Sequence, residues 1–70
     1  MNRPKAFVVF NDNTSFTNCL QFCQDFNLDV ADSFAHFPII FVYDAVDALI
    51  LIGYIHNIHI QDHCIYEIAV

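Results

Sequence analysis

The sequence predicts an α+β fold: a small two-layer sandwich of three to four strands, β-α-β-β-β-like in order, with one long amphipathic helix on one face. Three observations predict it. Short β-branched and aromatic runs at residues 6–10, 37–43 and 64–70 read as strands. Between the first two, Phe16, Cys19, Leu20, Cys23 and Phe26 recur at helical spacing. One glycine and two prolines punctuate all 70 residues, so the elements are joined by short polar turns.

Each element has its own reason. Residues 6–10, Ala-Phe-Val-Val-Phe, are apolar throughout and read as a strand covered on both faces. Residues 11–15 supply turn and cap chemistry, side chains whose oxygens accept from the first free N–H groups of a helix. The helix then places Phe16, Leu20, Cys23 and Phe26 on its core face. Residues 28–36 read as a polar, acidic connection. Residues 37–43 form a second strand, with Pro38 at its start because proline cannot donate to a ladder. Strand, helix, strand over this length suggests a parallel βαβ unit. Residues 48–55 are apolar on every face, so periodicity alone cannot separate helix from strand. Asp44 with Asp47 favours a helix start and Gly53 a stop. The isoleucines favour a strand at residues 51–55. A strand at 58–60, a turn at 61–63 and a closing strand at 64–70 complete the reading. Tyr66, Ile68 and Val70 share one face of that last strand. No second helix is expected over the opposite face of the sheet.

Composition narrows the function. The only cations, Arg3 and Lys5, precede residue 6, against eight acids, for a net charge of −6. Such a surface repels nucleic acid and anionic membrane and attracts basic protein surfaces. Hydrophobic residues make up 57% of a chain expected to form a single domain over residues 1–70. That exceeds the ~45–50% usual in soluble domains. Three tyrosines and eight phenylalanines are more than one small core hides, so apolar surface is expected to face a partner or a second copy. No signal peptide is read at the start. The apolar run at 48–55 is shorter than the ~20 residues a spanning helix needs. The expectation is a cytoplasmic protein, in the host cytoplasm if viral, with no membrane partner.

Four constellations of side chains bear on chemistry. On a helix His56, His59 and His63 would share a face beside Cys64, as zinc needs, whereas on strands His56 and His59 point to opposite sides, and they read better as edge and turn residues of a half-exposed hairpin. Asp12, Asp44 and Asp47 follow the first two strands. If those strands were parallel, the three carboxylates would share a sheet edge and could hold Mg²⁺ for phosphodiesterase-like chemistry. Helix capping explains Asp44 and Asp47 without metal, and the body of the chain has no Lys or Arg to grip polyphosphate. Cys19 and Cys23 are spaced for core packing, not for redox chemistry. Asp25, Asp29 and Asp32 follow the long helix, where its dipole disfavours negative charge.

The leading expectation is a non-enzymatic binding protein without cofactors. It would dock on a basic, nucleic-acid-binding protein surface through Asp25, Asp29, Asp32, Asp44 and Asp47, and would not bind nucleic acid itself. In size, acidity and absence of motifs the chain is similar to phage-encoded inhibitors of host defence, such as anti-CRISPR and anti-restriction proteins. The alternatives are a homodimeric regulatory module closed through its sheet, and the metal-dependent enzyme using Asp12, Asp44 and Asp47.

Overall fold

A computed structural model describes residues 3–33 and 37–69. Its elements run β1 (Ala6–Phe10), α1 (Asn13–Asp25), β2 (Val30–Ser33), β3 (Ile39–Val42), α2 (Ala45–Asn57), a 3-10 turn (Gln61–His63) and β4 (Cys64–Ile68). The four strands form one sheet in the order β2-β3-β1-β4, antiparallel at every pair. β1 and β2 run the same way with β3 between them, and β3 and β4 do the same around β1. This is the doubled split βαβ of ferredoxin-like folds.

The α+β two-layer class stands, with an additional helix. Alternate strand residues Ala6, Val8, Phe10, Ile40, Val42 and Cys64 join Phe16, Cys19 and Cys23 of α1 and Ala48, Leu51 and Ile55 of α2 in one core. Both helices therefore cover the same face.

α1 begins where Asp12 turns extended backbone into helix. Its Oδ1 accepts from the Ser15 N–H at 2.7 Å, and its Oδ2 accepts from the Ser15 hydroxyl at 3.1 Å. Phe16, Cys19 and Cys23 are buried and Leu20 is half-buried. Phe26, expected in the core, is 63% exposed. It is the residue on which the helix ends, at the margin of the buried stripe, and its ring lies beside Phe22 at 4.5 Å. Phe22 in turn stacks on Tyr54 of α2 at 3.9 Å, joining the two helices.

Both helices stop in the same way. Asn27 and His59 take left-handed backbone, with φ of 54° and 59°. After α1, the Leu28 N–H donates to Cys23 O and the Asn27 N–H to Gln24 O. After α2, the Ile60 N–H donates to Ile55 O and the His59 N–H to His56 O. These are paired Schellman closures, usually built on glycine. The strand expected at 58–60 is this closure, and its apolar–polar alternation has another origin.

The strand expected at 51–55 is helix. Asp44 Oδ2 accepts from the N–H groups of Val46 and Asp47 at 3.0 and 3.1 Å, which starts α2. Gly53 lies inside the helix, exposed, and does not end it. The connection expected at 28–36 contains edge strand β2, although residues 34–36 lie outside the described part. β2 escapes notice because Asp32 interrupts its apolar pattern on an exposed edge. β3 falls within the expected 37–43, and Pro38 precedes it. The Pro38 carbonyl accepts from the Phe10 N–H at 2.9 Å. β4 covers most of the expected closing strand, and Val70 lies outside the described residues. The parallel pairing expected for residues 6–10 and 37–43 is overturned: β1 and β3 are antiparallel neighbours. β2, which was not expected, is the strand parallel to β1.

Candidate interaction surfaces

Antiparallel pairing separates the acids that a parallel pairing would place at one edge. Val9 faces Ile39, and Ala6 faces Val42. Asp12, beyond Phe10, therefore lies at the opposite end of the sheet from Asp44, beyond Val42. The distance between the ends is the length of a strand, roughly 13–17 Å. Asp12, Asp44 and Asp47 do not converge, and no group of three His, Cys, Asp or Glu able to hold a metal occurs among the described residues. The local duties of these carboxylates are structural. Asp12 and Asp44 cap helices, and Asp47 Oδ2 accepts from the Asp29 N–H at 2.9 Å.

The histidines do not converge either. His56 Nε2 meets the Tyr66 hydroxyl at 2.9 Å, and His63 Nδ1 meets Asp12 Oδ2 at 3.2 Å. His59 sits on the left-handed turn between them. The backbone N–H of Ser15 holds the Asp12 carboxyl below its ordinary value; desolvation opposes it, and the Ser15 hydroxyl and His63 add smaller lowering contributions. His36 lies outside the described residues.

All three thiols are free and buried. Burial pushes Cys19 up to about 12, with smaller contributions from Cys23 and Cys64, and Cys23 up to about 11, with Asp47 adding to it. Burial also raises Cys64. The reading of Cys19 and Cys23 as core residues holds, since a thiol held protonated in a core is a poor nucleophile.

Asp29, Asp44 and Asp47 meet at one end of the sheet. Beyond the Asp47–Asp29 bond, the Tyr43 N–H donates to the Asp29 carbonyl at 2.9 Å. Asp25 ends α1, and its Oδ1 accepts from Gln21 Nε2 at 2.8 Å. Asp32 is not at the helix terminus, as its place in the sequence suggested. It sits on β2, exposed, opposite Ile40. Lys5 lies at the same sheet end as Asp29 and Asp44. Its N–H donates to the Val42 carbonyl and its carbonyl accepts from Ala69. Even so, the one charged contact within ion-pair distance among the described residues is His63–Asp12.

The second surface is the sheet face away from the helices. Phe7 stands directly opposite Phe41 at its centre, and Val9 stands opposite both Ile39 and Ile65. Ala31 and Ser33 extend it on β2, and Glu67 lies beside Phe7 on β4. Phe7, Val9, Ile39 and Phe41 are half-buried by one another, and Ile65 is 69% exposed. Residues 6–10 are thus not covered on both faces, since no described element packs over this side. An unbroken apolar run could not show this from sequence, because period-two alternation is silent when both parities are apolar.

No family model matches the chain, and no curated protein or solved structure is significantly similar to it. No helix among the described residues is long and apolar enough to cross a membrane.

Proposed function

We propose that this chain is a small acidic binding protein, without catalytic activity or cofactor, that docks on a basic, nucleic-acid-binding protein surface. It acts as an inhibitor of the phage host-defence kind, at work in the cytoplasm. One observation carries the reading. An apolar sheet face centred on Phe7 and Phe41 lies beside a sheet end where Asp29, Asp44 and Asp47 gather, Asp25 ends α1 and Asp32 is exposed on β2 opposite Ile40, and among the described residues none of these acids is within ion-pair distance of a cation. Aromatic residues in the middle of an interface and charge at its rim are the usual division between affinity and steering. The acids stand where phosphates would stand on the partner, and the chain does not bind nucleic acid itself.

The test is phage plating on bacteria that carry defined CRISPR–Cas or restriction systems and express the chain. Restored plating with at least one system is expected, with association to the purified effector that slows as salt rises. The triple variant Asp25→Asn, Asp29→Asn, Asp32→Asn, shown folded by circular dichroism, should lose most of both effects. Unchanged plating in every system, or a folded triple variant as active as the parent, would sink the reading. So would retardation of DNA or RNA by the chain at low salt.

A further inference from the structure

Helix α2 is apolar on more than the face it buries. Ala48, Leu51 and Ile55 lie in the core, yet Val46, Leu49 and Ile50 remain 63%, 64% and 40% exposed. A helix apolar all round is normally enclosed all round, and this one is enclosed on one side. Its outer stripe, Val46, Leu49, Ile50, Gly53 and Asn57, carries no charge in a chain of net charge −6. Asp47 is turned off the stripe, onto the Asp29 N–H. Gly53 is a notch in the stripe, because a Cβ built there meets nothing within 4 Å. Glycine inside a helix costs about 1 kcal/mol against alanine, and the packing of a single chain makes no use of the missing side chain.

We infer that this stripe is a homodimer seam. α2 of one copy packs antiparallel on α2 of a second copy, about a twofold axis passing between Leu49 and Ile50. That axis sets Leu49 against the second copy's Ile50 and Val46 over the second copy's Gly53, so an exposed branched side chain fills the open notch at each end. Self-complementarity of this kind is what a twofold interface requires. Charge selects the antiparallel sense. A parallel pair would set the two acidic first turns, each opened by Asp44, side by side. The antiparallel pair opposes the helix dipoles favourably and places the acidic first turn of one helix beside the last turn of the other, which carries His56. One helix of this length, about 20 Å, presents less than the roughly 800 Å² per partner of a standard interface. The dimer is therefore weak and reversible. It also leaves both open sheet faces pointing outward, free for the partner proposed above.

Sedimentation of the full chain across a concentration series tests the inference. A monomer–dimer equilibrium is expected that tightens as salt screens the repulsion between two acidic copies, the opposite of the trend for the partner. Gly53→Ala should raise the melting temperature of the monomer, because the added methyl meets nothing, yet weaken the dimer by about tenfold. Leu49→Asp should abolish the dimer and leave the fold intact. Under mild oxidation, a mixture of Val46→Cys and Gly53→Cys chains should cross-link with each other, while Val46→Cys alone should not. A monomer at every concentration would overturn the proposal. So would Gly53→Ala without effect on association, or ready self-cross-linking of Val46→Cys, which would mean a parallel pair.

Discussion

Leu49 and Leu51 lie two residues apart, and their responses to truncation should differ sharply. Leu51 has no exposed surface, while Leu49 is 64% exposed. In a helix, two residues span about 200° and therefore opposite faces. In a strand, the two side chains would share a face and respond together. Leu51→Ala removes buried methyl groups between Ala48, Ile55 and the sheet, which should cost about 2–5 kcal/mol. At about 0.05–0.15 kcal/mol per residue, a chain of this length has only about 4–10 kcal/mol in total, so the loss is a large share. At about 4–8 °C per kcal/mol, the melting temperature should fall by at least about 8 °C. Leu49→Ala should stay within about 0.5 kcal/mol, since an exposed position loses little packing and alanine favours the helix slightly. Urea denaturation read by circular dichroism, at a concentration low enough to keep the chain monomeric, measures both. Equal losses in the two variants, or a larger one for Leu49→Ala, would refute the helical register of α2 and restore the strand.

Two further predictions concern backbone and thiols. His59→Gly should raise stability by about 0.5–1 kcal/mol, because glycine enters left-handed backbone without the steric cost that histidine bears. A loss of about that size, as for glycine in a strand, would contradict the Schellman closure. Stability should also fall on the alkaline side. The buried thiols keep their protons in the folded state up to about 11 for Cys23 and about 12 for Cys19, against an ordinary 9.0. Their contribution is complete below that ordinary value and is lost as pH rises toward the folded values. The slope is about 1.4 kcal/mol per pH unit for each thiol. Urea midpoints at about pH 8 and about pH 10 should differ accordingly, and Cys19→Ala should flatten the difference. A midpoint that does not move would count against the burial of these thiols.

Elements whose signals are local are legible from the residues alone. The run at residues 6–10 makes β1 in any register. Phe16, Cys19 and Cys23 make the buried stripe of α1, and Asp44 with Asp47 carries the capping chemistry of α2. The surplus of acids over cations sets the chain's net charge at −6 before any fold exists. Long-range packing and strand pairing settled the remainder. Residues 48–55 are apolar in every direction, so their helical state was settled by the Schellman closure at His59 and by the burial of Ala48, Leu51 and Ile55. β2 emerged because β3 offered it a ladder, which Asp32 does not advertise. The antiparallel sheet order sent Asp12 to one end of the sheet and Asp44 to the other, and joined Asp29 to Asp47 across eighteen positions of sequence. Convergence of side chains from distant elements depends on strand direction, and strand direction is a property of the whole chain.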